Sequence, residues 1–192
     1  MRITLIFILA FVARATTAGA TYYLDERFEG AFPPDGWTNQ GNQGGWDQRS
    51  GGPSAKYAHS YLYGSSTYNG WATLESPAMN IPSGTVYYRF EYYYGYGGWP
   101  YGNLAEFVLY YAGTAVQLVR VTFPGGMNWG VCAGTAVVSQ SLPVVARWRH
   151  TCSSYGMHGS TATFNVDTTQ ISDAPMTAVT PASLGRIKAL YK

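Results

Sequence analysis

The sequence predicts an all-β protein, an antiparallel two-sheet jelly-roll β-sandwich. Three observations carry that expectation. Charged residues make up only 11% of the 192, while Gly (23), Tyr (17) and Trp (6) are heavily used. Tyr, Trp, Val and Thr suit a pleated, half-buried surface, and Gly and Pro suit turns. Apolar and polar residues alternate with a period of two in several stretches, and no stretch carries a capped helical period.

The first twenty residues read separately. Arg2 precedes Ile3–Ala13, an uncharged run, and Ala18-Gly19-Ala20 offers the small residues of a cleavage site. That is a secretory signal over residues 1–20, cut after Ala20. A membrane anchor needs about 20 apolar residues, and Arg14 interrupts this run. Without Arg2 and Arg14 the ten remaining basic residues equal the ten acidic ones. A neutral chain lacks the concentrated positive face that nucleic acid requires, and it has no electrostatic pull toward an anionic membrane.

Along residues 21–172 eight strands are expected. Tyr22–Phe28 is the first, ended by Pro33-Pro34, since proline cannot donate to a ladder. Asp35-Gly36 then turns the chain so that Trp37 folds back and seals one end of the sandwich. "TNQGNQGG" and "WDQRSGGPSAKYAHS" read as irregular. A short strand covers Trp71–Glu75. The clearest strand is "TVYYRFEYYYGYGG", with Val86, Tyr88, Phe90, Tyr92 and Tyr94 on one face and Tyr87, Arg89, Glu91 and Tyr93 on the other. "NLAEFVLYYAG", "AVQLVRVTFPGG", "WGVCAGTAVVSQ", "VVARWRHTCSS" and "STATFNVDTTQIS" supply the rest. Residues 173–181 read as a linker and 182–192 as a short tail, with Leu184, Ile187 and Leu190 three apart.

Two cysteines, Cys132 and Cys152, form an even pair. In an exported protein such a pair reads as a disulfide, with two buried free thiols as the alternative. A bridge closing that loop would stabilise by about 3 kcal/mol in the chain-entropy model.

Two landmarks support a resemblance. Phe28-Glu29, Phe32-Pro33-Pro34 and Gly36-Trp37 form the first; Leu74-Glu75-Ser76-Pro77 leading into Val86–Tyr94 forms the second. Together they resemble the cleaved-adhesin, or choice-of-anchor J, family of bacterial surface domains, related in architecture to MAM-type jelly rolls. The match covers roughly residues 24–111 and loosens afterwards, apart from "FNVD" at 164–167. The resemblance implies a secreted or cell-surface domain that adheres or binds without catalysis. It also implies a structural calcium near the Phe-Glu step and a following loop. That loop here is "NQGNQGGW", with amides where calcium would want carboxylates. Glu29 and Asp47 are the best anionic candidates, with Asp25 and Asp167 behind them.

Three function classes remain to be weighed. A binding module would use aromatics on loops, which stack on sugar faces or on a protein while their tips hydrogen-bond. The candidates are Tyr96, Trp99 and Tyr101 in "YYYGYGGWPYGN", and Tyr68 and Trp71 in "HSYLYGSSTYNGW". The same aromatics would serve self-association in an extracellular filament, sheath or surface layer, with the tail docking in a neighbour or adding a strand to an open edge. A glycoside hydrolase is the least supported. It needs two carboxylates across a cleft, whereas Glu75, Glu91 and Glu106 are scattered and Asp167 stands alone. His59, His150 and His158 show no zinc spacing, and no nucleophile elbow is present.

Overall fold

In the computed structural model, residues 20–65, 68–98, 102–153 and 159–176 are described, without the side chain of Met127. The expected signal segment up to residue 19, the candidates Trp99 and Tyr101, His158, and the chain from residue 177, with the tail, lie outside them.

Eleven strands occur among the described residues: β1 (Tyr22–Glu26), β2 (Thr38–Gly41), β3 (Asp47–Ser50), β4 (Lys56–Gly64), β5 (Gly70–Glu75), β6 (Gly84–Gly98), β7 (Leu104–Tyr111), β8 (Gln117–Thr122), β9 (Gly126–Val138), β10 (Val144–Cys152) and β11 (Ser160–Ser172). They build two antiparallel sheets. The first runs β3-β4-β11-β6-β9, with β1 also paired to β11; the second runs β2-β5-β10-β7-β8. A bulge after Asp167 lets β11 pair with β4 in its first half and β1 in its second, while β6 flanks it throughout.

The expected faces are the observed ones. Val86, Tyr88, Phe90 and Tyr94 of β6 are buried between the sheets, and Arg89 and Glu91 pair on the outside at 3.2 Å. In β7 the inward Phe107, Leu109 and Tyr111 are buried, but so is the outward Glu106, held by Arg120 at 2.6 Å and Arg149 at 3.6 Å. The core is a chain of rings: Phe90 on Phe107 (4.7 Å), Phe107 on Trp148 (5.2 Å), and Trp148 on Trp37 (5.7 Å).

Residues 27–37 carry the chain from the first sheet to the second. The Trp37 N–H donates to the Pro34 carbonyl at 3.0 Å, closing the turn. Gly36 sits at φ +76°, a conformation that costs glycine little. Trp37 therefore turns inward beside Phe28, where the chain crosses between sheets, and its indole is buried against the middle of β10.

Two expectations need correction. The segments 38–41, 47–50 and 56–64 are strands, where the sequence read as irregular. They are short or carry hydroxyls and glycines, so their inward faces (Ala58, Ser60, Leu62) give a faint apolar signal. The second correction is the disulfide: Cys132 and Cys152 are both buried free thiols. Cys132 lies opposite Phe90, whereas Cys152 Sγ contacts Ser160, which lies opposite Gly98, eight residues further along β6. The rise of a strand puts them on the order of 20 Å apart, far beyond the Cα separation of about 7 Å that a bridge tolerates. Burial pushes the Cys132 thiol up to about 11.

Candidate binding face

The outer face of the first sheet is built by β4, β11 and β6. β4 alternates, with Ala58, Ser60 and Leu62 inward and Tyr57, His59, Tyr61 and Tyr63 outward. Antiparallel register sets each outward residue in a row across three strands. Tyr63 faces Thr161, which faces Gly97; Tyr61 faces Thr163, which faces Gly95; His59 faces Asn165, which faces Tyr93. In the first two rows a tyrosine stands beside a threonine and then a glycine, and the third row ends on Tyr93.

That profile makes a shallow trough. Tyr61 and Tyr63, 54% and 47% exposed, form one bank. Across from them Tyr93, Tyr96, Thr161, Thr163, Gly95 and Gly97 line a depression of about 230 Å³, with the Tyr93 ring on its wall and the Tyr96 ring turned toward Tyr94, 6.0 Å away. A Cβ on Gly95 would lie 3.0 Å from the Tyr93 hydroxyl and within 3.3 Å of its ring, so glycine at 95 lets the Tyr93 ring lie down over the strand, while Gly97 leaves the floor low beside Thr161. His59 Nδ1 is 2.8 Å from the Asn165 Oδ1, fixing the imidazole at the foot of the trough. Beyond Tyr61 lies a second depression of about 240 Å³, lined in part by Trp46, His59 and an Asp47–Arg49 pair 2.7 Å apart. Trp129 continues the aromatic surface between Tyr57 (5.3 Å) and Tyr93 (6.2 Å).

The sequence-predicted ligand residues are divided. Tyr96 lines the trough and is 43% exposed. Tyr68 and Trp71 are exposed (43% and 40%) at the end of the sandwich, joined through Asn42: the Tyr68 hydroxyl donates to the Asn42 carbonyl at 3.1 Å, and the Trp71 N–H donates to Asn42 Oδ1 at 2.8 Å. The trough residues Thr161, Thr163, Tyr93 and His59 were missed. Their signal was the i, i+2 run Tyr57, His59, Tyr61, Tyr63, hidden because that segment read as a loop.

The polar loop has a different job from the one its position suggested. Asn39 exchanges two hydrogen bonds with the Trp46 backbone (2.7 and 2.8 Å). Asn42 Nδ2 donates to the Asn69 carbonyl at 2.8 Å, and Gln43 Oε1 accepts from the Tyr63 N–H at 2.8 Å. The amides are spent holding backbone, where side chains with both a donor and an acceptor are needed.

The four candidate calcium carboxylates do not gather into one set. Asp47 pairs with Arg49, and Asp25 accepts from Gln170 at 3.1 Å. Glu29 and Asp167 instead reach the same turn: Glu29 Oε1 accepts from the Ala55 N–H at 3.0 Å, and the buried Asp167 accepts from the Ser54 N–H at 2.9 Å. Among the described residues no three His, Cys, Asp or Glu side chains come together as a metal cluster. One feature does suit a hard cation. Ser54 Oγ, with a single proton, lies 2.6 Å from the Lys56 carbonyl and 2.7 and 2.9 Å from the two Asp167 oxygens. The single proton can serve the Lys56 carbonyl or the Asp167 carboxylate but not both, which leaves a close set of oxygens of the kind that ligands a hard cation.

Glu75, Glu91 and Glu106 are each committed to arginine: Glu75 to Arg147, Glu91 to Arg89, Glu106 to Arg120 and Arg149. His150 is sealed in the core with Nδ1 3.1 Å from Ser60 Oγ. Burial, with a smaller contribution from His59, lowers its pKa to about 3, so the ring is neutral.

No protein-family model matches the chain. No curated protein matches it either. Solved structures match in fold. A carbohydrate-binding module, TmCBM61, solved in complex with β-1,4-galactotriose, is 16% identical over 79% of this chain and 97% of that one, with a TM-score of 0.53. The K3 cleaved adhesin domain of Lys-gingipain from Porphyromonas gingivalis is 16% identical over 80% and 99%, with a TM-score of 0.52. A xylan-binding CBM22 domain is 14% identical over 83% and 99%, with a TM-score of 0.53. The chain thus has the jelly-roll fold shared by carbohydrate-binding modules and cleaved adhesin domains.

Proposed function

We propose that this chain is an exported, non-catalytic binding module that takes a neutral glycan in the trough on the outer face of its first sheet. The observation that carries the reading is the Tyr–Thr–Gly register repeated at Tyr61 and Tyr63, with Tyr93 on the far side of the threonines. Ring faces offer sugar C–H surfaces a place to stack, and threonine and tyrosine hydroxyls meet sugar hydroxyls. The flanking charges at Asp47–Arg49 and Arg89–Glu91 are paired, which favours an uncharged ligand. The fold shared with a galactotriose-bound module and a xylan-binding domain supports the ligand class. The signal-like N-terminus supports export to the cell surface.

We further propose that calcium, bound by Asp167, Ser54 Oγ and the Lys56 carbonyl with Glu29 beside them, steadies the sheet below the trough. Calcium there would neutralise a buried carboxylate.

The test is an array of neutral and acidic glycans, followed by titration calorimetry on the best binder. Tyr61→Ala and Tyr63→Ala should each weaken binding at least tenfold, about 1.4 kcal/mol. Both should melt like the parent, because these rings are half exposed. An array without any bound glycan, or affinities untouched by both substitutions, would overturn the proposal.

A further inference from the structure

Tyr61 stands between two depressions. On one side its row runs to Thr163 and Gly95, which line the depression of about 230 Å³. On the other side Tyr61 itself lines the depression of about 240 Å³, with Gly44, Gly45, Asp47, Arg49 and His59. Gly44 keeps that side low: its φ of +90° suits glycine, and a Cβ there would meet nothing within 4 Å. A ligand chain can therefore pass from one depression to the other over the exposed Tyr61 ring.

One row of residues runs the width of this face. Asp47 of β3 lies opposite His59 of β4, His59 opposite Asn165 of β11, and Asn165 opposite Tyr93 of β6. From β3 to β6 is three strand spacings, about 14 Å, more than a single sugar covers. The wall beyond Tyr61 is fixed in advance, because Gln43 Oε1 accepts from the Tyr63 N–H at 2.8 Å and Asn39 holds both backbone groups of Trp46. A preformed wall spares the ligand the cost of ordering it. Asp47 and Arg49, exposed and 2.7 Å apart, present an acceptor beside a donor. An exposed pair of this kind adds little to stability. Two adjacent sugar hydroxyls match it, one donating to the carboxylate and the other accepting from the guanidinium. With Nδ1 donating to Asn165 Oδ1, His59 is left with Nε2 as a further acceptor.

We propose that the two depressions form one site for a neutral oligosaccharide of at least three contiguous units, laid across the strands. One unit occupies the depression at Thr163 and Gly95, one crosses the Tyr61 ring, and one enters the depression beyond it, where Asp47 and Arg49 hold its adjacent hydroxyls. The proposal rests on the trough reading and adds to it the length of the ligand, its direction across the sheet, and the residues that recognise its far unit.

Titration calorimetry tests this with β-1,4-linked oligomers of galactose, xylose and glucose, one to five units long. In the series that binds best, affinity should rise at least tenfold from the disaccharide to the trisaccharide. Arg49→Ala and Asp47→Asn should each remove most of that rise, while disaccharide affinity stays within twofold and the melting temperature is unchanged. A trisaccharide bound no better than the disaccharide overturns the proposal. So does a rise that survives both substitutions, or a loss that is equal at every length. In each of those cases the trough reading still stands if Tyr63→Ala weakens the disaccharide. Absence of binding at every length overturns both.

Discussion

The indole of Trp37 stacks on that of Trp148, with ring centroids 5.7 Å apart and planes 21° from parallel, while Phe28 meets Trp37 edge-on at 5.5 Å. This contact ties the crossover after β1 to the centre of the second sheet. Trp37→Ala would leave a cavity between the sheets and should destabilise the fold by about 3–5 kcal/mol. Denaturant unfolding followed by tryptophan fluorescence measures the loss; a cost under about 1 kcal/mol would show that the crossover is held by something else.

Acid should unfold the protein through His150. Its folded pKa, lowered to about 3, lies below the ordinary histidine value. The unfolded chain therefore binds a proton between those two values that the folded chain refuses. Stability should be level with respect to this group above about pH 6.5 and fall by about 1.4 kcal/mol per pH unit below it, down to about pH 3. Urea titrations across pH 4–8 should show that slope, and His150→Gln should flatten it. An unchanged slope in the variant would assign the acid sensitivity to the carboxylates.

Calcium should raise the melting temperature. At about a hundred times its Kd the ion would shift Tm by roughly 5–10 °C, and chelator should reverse the shift. Asp167→Asn should lose the response, whereas Asp47→Asn should keep it, since Asp47 pairs with Arg49 away from the Ser54 turn. A parent protein indifferent to chelator removes the ion from the account.

Two thiols should titrate when the protein is unfolded without reductant, and none at a comparable rate when it is folded. Cys132 and Cys152 are buried, with thiol pKa values raised by desolvation, so the reactive thiolate is scarce in the native state. Absence of free thiol after unfolding would restore the bridge.

Much of the fold was legible because the period of two is a local property. Val86, Tyr88, Phe90 and Tyr94 had to share a face whatever they packed against. Segment 56–64 was not legible as a strand, because its inward Ala58 and Ser60 are too small or too polar to mark a buried face. The opening stretch could be read as a strand end and a turn that buries an indole; that it crosses between sheets and sets Trp37 on the middle of β10, not at the sandwich's end, was not legible, since Trp148 is distant in sequence.

The sequence by itself determined an all-β chain, the inward face of its long strands, and a charge-poor, aromatic-rich composition. The tertiary structure decided what surface that composition makes. Cross-strand register, set by pairings between distant segments, placed Tyr61 and Tyr63 beside Thr163 and Thr161 and then beside Gly95 and Gly97, making a trough where the chain alone offers only scattered tyrosines. The same register separated Cys132 from Cys152 and brought Asp167 to Ser54, because distances between strands follow pairing and not spacing along the chain.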